Sequence, residues 1–168
     1  SGIASFAFAP IAICGIILVM LAPAINHVGG SKGDKLMRPI PIGAKGTYTL
    51  RVTPAHLANQ FKDVSLPQVF ATPMMVTAME NAALNAVRDY LDKGESAVGT
   101  GVNIRHLAPT PVGHQVTAVA EVTKVDDRHI EFKVSARDEI EEIGNGTHER
   151  MVVNMGRLNK RLNAKKRP

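Results

Sequence analysis

Five stretches of the chain alternate apolar and polar residues with a period of two, which is typical of β-strands with one buried face. The predicted strands are 46–53, 98–107, 115–125, 128–138 and 146–158, with turns at 126–127 and 144–146. In the second of them one face carries Thr100, Val102, Ile104 and His106. In the fourth the apolar face consists of Ile130, Phe132, Val134 and Ala136.

An apolar stripe with helical spacing predicts a helix over 72–91; the stripe consists of Val76, Met79, Ala83 and Val87. Thr72 suits the N-cap, because its hydroxyl can accept an N–H that the first turn leaves unpaired. Pro73 suits the first helical position, where an N–H is not needed. Glu80 falls on the same face as the stripe. A carboxylate in that place has to be paired, protonated or used in chemistry.

The order of the predicted elements is one strand, one long helix and then four strands in succession, which indicates an α+β domain. A helix that is apolar along most of its length needs cover on several sides. The simplest cover is a curved antiparallel sheet folded around it. Such a sheet has edge strands, and two copies of the chain that pair edge to edge protect one edge in each. We therefore expect a homodimer, with a dimer of dimers as an open alternative.

We expect three parts along the chain: an N-terminal segment 1–44, a folded domain 45–158 and a basic tail 159–168. Residues 3–25 contain no charge and are numerous enough to cross a bilayer. The same stretch fits the apolar part of an export signal, an accessory segment that folds onto the protein, or sequence upstream of the true start. Membrane contact through 3–25, and a membrane-anchored location, therefore stand beside the expectation of a cytoplasmic protein.

Charge and composition narrow the function. The formal net charge of +5 belongs to the C-terminus, whose basic residues are Arg157, Lys160, Arg161, Lys165, Lys166 and Arg167. Such a tail is a solvated terminus or attracts the phosphates of a substrate. Aromatic residues make up 4% and tryptophan is absent, which disfavours a surface that stacks on nucleic-acid bases. The single cysteine, Cys14, excludes an internal disulfide and agrees with a reducing compartment.

Three residues offer chemistry together: Thr72 at a helix N-terminus, Glu80 on the helix and His106 on the second strand. A hydroxyl, a carboxylate and an imidazole are suitable parts for acyl transfer. The structural alternative for each is an N-cap, a paired carboxylate and a core histidine. His148 and Glu149 do not form a metalloprotease motif, because no second histidine follows at helical spacing, and we expect no metal.

Further motifs accompany these residues and together resemble the fluoroacetyl-CoA thioesterase family over about residues 45–160. They are Val69-Phe70-Ala71-Thr72, Met75-Val76, Met79-Glu80, Gly99-Thr100 with His106, Val134-Ser135-Ala136, Glu142-Ile143-Gly144 and Gly146-Thr147-His148-Glu149-Arg150. The resemblance implies a hot-dog fold, in which a sheet wraps a central helix and two sheets join in a dimer. It also implies hydrolysis of an acyl-CoA to a carboxylate and free CoA, with no cofactor besides the CoA of the substrate.

Carried over by position, the resemblance makes Thr72, Glu80 and His106 catalytic. It places Gly99, Thr100, Arg150, Leu66 and Phe70 at the substrate. The fluoroacetyl-specific member has a phenylalanine gate just before a proline, and here that place holds Leu66. The resemblance therefore implies a different short or medium acyl chain. Two other functions stay open: a hot-dog hydratase or dehydratase, and a dimer that binds acyl-CoA or lipid without turnover. No nucleic-acid partner is expected.

Overall fold

The computed structural model describes residues 38–61 and 63–166. They contain strands β1 (Lys45–Arg51), β2 (Glu95–His106), β3 (Gln115–Asp126), β4 (His129–Arg137) and β5 (Glu142–Asn154), and helices α1 (Ala58–Phe61), α2 (Thr72–Val87) and α3 (Met155–Lys165). Single 3-10 turns cover Pro54–His56 and Arg88–Tyr90. The predicted membrane or signal segment, 3–25, lies outside the described residues. Within the part that is described, no helix is long and apolar enough to span a bilayer.

One five-stranded antiparallel sheet has the order β1-β3-β4-β5-β2, and α2 packs against its concave face. The alternation predicted for β3 and β4 is confirmed, since the side chains that they turn towards α2 are at most 1% exposed. Those of β4 are Ile130, Phe132, Val134 and Ala136. This is the wrapped helix of the expected α+β, hot-dog architecture. β1 and β2 are the edges of the sheet.

Helix α2 carries mostly small residues on the side that the sheet covers. Its buried residues are Met75, Ala78, Met79, Ala82, Ala83, Ala86 and Val87. Met79, Ala83 and Val87 of the predicted stripe are thus buried, whereas Val76 and Glu80 are only half-buried and lie at its border. The alanines allow the backbones of helix and sheet to approach closely. Gly46 in β1 shows how closely: a Cβ there would lie 2.2 Å from the amide nitrogen of Ala86.

The start of α2 differs from the prediction. Ala71 is the N-cap and Thr72 is already helical, and no side chain caps this end. The amides of Met74 and Met75 both donate to the carbonyl of Ala71, at 2.9 and 3.1 Å. The hydroxyl of Thr72 is consequently free to bond elsewhere.

The last strand also differs. β5 begins at Glu142, so the predicted turn at 144–146 lies inside the strand, and the chain reverses at 138–141 instead. Asp138 holds this reversal, since Oδ1 accepts from the amides of Ile140 and Glu141 and Oδ2 accepts from the Thr110 hydroxyl. Only these contacts, made across the fold, decide where the turn falls.

Residues after Asn154 form α3, which the prediction had assigned partly to the last strand and partly to the basic tail. The side chain of Asn154 caps this helix by accepting from the Arg157 amide at 3.0 Å. The amide of Met155 donates to the Gly94 carbonyl at 2.9 Å, which ties the start of α3 to the beginning of β2. At the other end of the described chain, Ile40 is 7% exposed, so packing begins before Lys45.

We predict that Gly46→Ala lowers the free energy of unfolding by about 3 kcal/mol, because its methyl group would meet helix backbone that cannot move aside. Urea unfolding would measure this. Gly156→Ala in α3 is the control, since the nearest atom there is the end of the Asn154 side chain at 3.2 Å. An equal unfolding midpoint for Gly46→Ala and the parent would contradict the close packing of β1 on α2.

Candidate active site

Thr72 and His106 are brought together at the N-terminal end of α2. The Thr72 hydroxyl and Nδ1 of His106 share a hydrogen bond of 2.9 Å. Nε2 of His106 is buried and has no hydrogen-bond partner within 38–61 and 63–166. Burial lowers the pKa of His106, and the nearby backbone of Ala108 acts in the opposite direction. A neutral imidazole therefore presents one unused nitrogen beside a hydroxyl.

Glu80 belongs to a second cluster further along α2. A Cβ added to Gly99 would lie 2.7 Å from Oε1 of Glu80, so the carboxylate rests directly against this glycine of β2. No donor of the described chain hydrogen bonds to the carboxylate oxygens. Its lone pairs are accordingly available to a water or a substrate. Because Gly99 has no side chain, the Glu80 carboxylate has room in this position.

Arg150 fixes the helix to the sheet at this point. Its guanidinium is buried and donates to the main-chain carbonyl of Glu80 at 3.0 Å and to that of Ala97 at 2.5 Å. Burial lowers the pKa of Arg150, and the nearby Glu80 charge raises it. Arg150 therefore points inward from β5. In the single chain it bonds to backbone carbonyls and leaves the Glu80 carboxylate free.

His148 completes this cluster, although its sequence context had pointed to no role. The side chain is 1% exposed and lies parallel to the ring of Phe132, with centroids 6.0 Å apart. Nδ1 is 2.8 Å from the Gly101 carbonyl and Nε2 is 3.2 Å from Nη1 of Arg150. A carbonyl only accepts and a guanidinium only donates, so the proton must be on Nδ1. Alternation along β5 could have pointed to His148, because this residue shares one face of the strand with Arg150.

The sheet bulges beside this cluster. The pairing of β2 with β5 passes from Gly99↔Arg150 to Gly101↔Glu149, so Thr100 has no opposite residue. Thr100 is exposed and does not continue the face of Val102, contrary to the prediction from simple alternation. A bulge of this kind re-aims the backbone next to a site. Here it lets Gly99 face Glu80 while the Gly101 carbonyl faces His148.

The structure does not bring the three predicted catalytic residues together within one chain. Thr72 and Glu80 are eight residues apart on one helix, which is about 12 Å along its axis. Gly99 and His106 are seven residues apart on one strand, which is about 23 Å. The single chain thus carries two clusters: Thr72 with His106, and Glu80 with Gly99, His148 and Arg150.

The two remaining predicted substrate residues lie in the segment before α2. Phe70 is 1% exposed and its ring meets His56 edge-on, with centroids 6.4 Å apart. It forms part of the core that supports the start of α2. Leu66 is 36% exposed on the turn that follows Asp63. Among the residues that the structure describes, no group of His, Cys, Asp and Glu side chains could hold a metal ion.

Comparison with known proteins shows the family of the chain. Residues 52–156 match the family described as Fluoroacetyl-CoA-specific thioesterase. The fluoroacetyl-CoA thioesterase of Streptantibioticus cattleyicolor is 38% identical over 129 residues, which is 74% of this chain and 93% of that protein. The chain belongs to the fluoroacetyl-CoA-specific thioesterase family. The resemblance inferred from the motifs is confirmed.

Solved structures of relatives confirm the hot-dog architecture. A fluoroacetyl-CoA thioesterase superposes with a TM-score of 0.73 at 35% identity, covering 77% of this chain and 100% of that one. A thioesterase superfamily member from Thermus thermophilus superposes with a TM-score of 0.68 at 31% identity, again covering 77% and 100%. The family match includes both clusters and ends just inside α3.

We predict that Gly99→Ala lowers kcat/KM for thioester hydrolysis about 100-fold, because the new methyl group displaces the Glu80 carboxylate. The fold should persist, since the displaced atom is the end of a flexible side chain. Gly101→Ala is the matched control, because a Cβ there meets the carboxylate of Glu149 at 3.1 Å and leaves Glu80 in place. Equal losses in the two variants would show that Gly99 acts on the strand and not on Glu80.

We further predict that His148 makes the fold acid-sensitive. Burial lowers its pKa below the ordinary value of 6.5, and Arg150 lowers it further, while the Gly101 carbonyl, Glu80 and Glu149 act in the opposite direction. Between the lowered pKa of the folded state and 6.5, the unfolded chain binds more protons than the folded one. This contribution to stability is therefore complete above 6.5 and is lost as the pH falls through the pKa of the folded state.

Urea unfolding of three proteins at about pH 7 and about pH 5 would test this. His148→Gln keeps an acceptor for Arg150 and removes the titrating ring. His148→Phe keeps the stack and removes both hydrogen bonds, so we expect it to be less stable than His148→Gln by about 2 kcal/mol. The stability difference between the parent and His148→Gln should shrink at the lower pH. An unchanged difference would mean that His148 does not titrate in this range.

Proposed function

We propose that this protein is an acyl-CoA thioesterase, which hydrolyses a short or medium acyl-CoA to the carboxylic acid and free CoA. The observation that carries the proposal is the Glu80 carboxylate, which is half-buried against Gly99 and not engaged by any donor of the described residues. A thioester carbonyl is readily attacked, and thiolate is a good leaving group. One well-placed carboxylate and a site for the oxyanion are therefore enough for the reaction.

In this proposal Glu80 acts on the carbonyl carbon in one of two ways. It removes a proton from water as the water attacks, or it attacks directly and forms an anhydride that water then cleaves. In both cases the C–S bond breaks, the thiol leaves with a proton and the acyl group leaves as a carboxylate. The absence of a hydrogen bond to the carboxylate supports either route, because no donor competes for its lone pairs.

Thr72 and His106 supply polar groups at the N-terminal end of α2. The imidazole is neutral and has one free nitrogen, so it can hold a water or pass a proton to the leaving thiolate. The Thr72 hydroxyl fixes the orientation of the ring through the 2.9 Å hydrogen bond. Its position at the N-terminus of α2 also favours negative charge nearby.

The separation of the two clusters leads us to propose that the working site is shared by two chains. About 12 Å along α2 is too far for Thr72 and Glu80 of one chain to act on the same carbonyl. In a two-fold dimer, the first cluster of one chain can meet the second cluster of its partner, and the symmetry then creates two equal sites. β2 is an edge of the sheet and carries both Gly99 and His106, so pairing along it would join the clusters.

Leu66 helps to decide which acyl groups the protein accepts. The relatives are named for fluoroacetyl-CoA. Where the fluoroacetyl-specific member has a phenylalanine, this chain has the smaller and more flexible Leu66. We therefore propose broader acceptance of short and medium acyl chains. We place the reaction in the cytoplasm because of the substrate's chemistry. The family match favours hydrolysis over the hydratase and binding-only alternatives. Association of two dimers and membrane contact through 3–25 stay predictions.

Mixing two inactive variants would test the proposal. Glu80→Gln and His106→Ala should each lose nearly all thiol release while keeping the parent's unfolding midpoint. Co-refolded at equal amounts, half of the dimers should be mixed, and each mixed dimer has one intact site. Activity should therefore return to about a quarter of the parent's.

Glu141→Gln, an exposed carboxamide substitution, is the control for Glu80→Gln and should retain the parent's rate. If the mixture is no more active than its components, each site lies within one chain and the shared-site proposal fails. If Glu80→Gln turns over at the parent's rate, Glu80 has no catalytic role. A panel of acyl-CoA esters with no thiol release at all would leave the binding-only alternative.

A further inference from the structure

A groove of about 200 Å³ lies where the end of β5 meets α3. Its walls come from the β3–β4 turn, the last residues of β5 and one side of α3. The lining residues are Arg128, Val153, Asn154, Arg157, Leu158 and Arg161. Three of these six are arginines and none is acidic. The groove is outside both clusters of the candidate active site.

The charges in the groove point to an anionic ligand. Within the part of the chain that the structure describes, no carboxylate forms an ion pair with Arg128 or Arg161. Like charges gathered around one groove repel, and an anion between them removes that cost. A guanidinium pairs well with phosphate through two parallel hydrogen bonds. Val153 and Leu158 add apolar surface, which suits a ligand that joins phosphate to a flat, less polar group.

The groove depends on α3 more than on the family's shared scaffold. The Asn154 cap starts the helix, and Arg157 and Arg161 follow one turn apart on the same side. The match to the family ends at residue 156, so both of these arginines lie beyond it. The basic residues that looked like a solvated tail in the sequence are thus partly organised against the sheet.

We propose that this groove binds the phosphates at the nucleotide end of a CoA thioester. The inference rests on the proposed function and adds a subsite to it. Asn154 is four residues after Arg150 on β5, which is about 13 Å. A pantetheine arm is about as long as four to five extended residues, roughly 15 Å, so one molecule can reach from the Glu80 cluster to the groove.

Thioesters of one acyl group on three carriers would test the inference: CoA, dephospho-CoA and pantetheine. The acyl group is the one that turns over fastest in a thiol-release panel. Arg128→Gln and Arg161→Gln should each raise KM for the CoA ester about 10-fold. Their KM for the pantetheine ester should equal the parent's, because that substrate has no nucleotide. kcat should change little for either ester.

Lys160→Gln is the matched control, since it removes a charge from the same helix without lining the groove. Its KM for the CoA ester should stay close to the parent's. A KM effect that persists with dephospho-CoA assigns the groove to the pyrophosphate, and one that disappears assigns it to the 3′-phosphate. Either result supports the inference.

Two results would overturn it: the arginine variants keep the parent's KM for the CoA ester, or they raise KM equally for the pantetheine ester. If KM is unchanged and the variants lose binding of a labelled oligonucleotide, the groove is a nucleic-acid site. Calorimetry with free CoA and free pantetheine gives the same comparison without turnover. If the parent protein hydrolyses no thioester but binds CoA through these arginines, the proposed function is refuted. The inference that the groove binds CoA is then supported.

Discussion

The buried guanidinium of Arg150 is the constraint on which the rest of the site depends. It joins the helix to the sheet by donating to carbonyls of Glu80 and Ala97, and it has Nε2 of His148 as a further acceptor. A buried charge is costly unless its donors find acceptors; both terminal nitrogens of Arg150 do so, whereas its Nε has no partner among the described residues. His148 can serve only as the tautomer with its proton on Nδ1, and the Gly101 carbonyl selects that tautomer. Arg150 thereby holds groups of α2, β2 and β5 in place.

This arrangement holds the backbone of Glu80 and leaves its side chain unengaged. An ion pair with Arg150 would have occupied the lone pairs of the carboxylate. Instead, Gly99 provides space for it, and the bulge after Gly99 turns the next carbonyl towards His148. The polar groups of the cluster thus serve to position the carboxylate. A base or nucleophile needs this combination of a fixed place and free lone pairs.

The helix also acts as a spacer. Its alanine-rich side lets the sheet pack closely, so α2 is held firmly between the two clusters. Because Thr72 and Glu80 sit two turns apart on this rigid element, neither can move to the other. A shared site between two chains resolves the separation without any distortion of the fold. The groove beside α3 lies beyond the Glu80 cluster, so the three polar regions follow one another along the molecule.

The sequence alone determined the fold and singled out the candidate site residues. Alternation located β3 and β4, because their inner faces are uninterrupted, and motifs named Thr72, Glu80, Gly99, His106 and Arg150. Tertiary contacts decided the features that the periodicity of the sequence does not encode. The bond to His106 uses the Thr72 hydroxyl that local propensity assigned to a cap, and Asp138 moves a turn that glycines alone would have placed at 144–146. The role of His148 and the distance between the two clusters arise from strands and a helix that meet only in three dimensions, since spacing in sequence reports the face of a residue and not its partner.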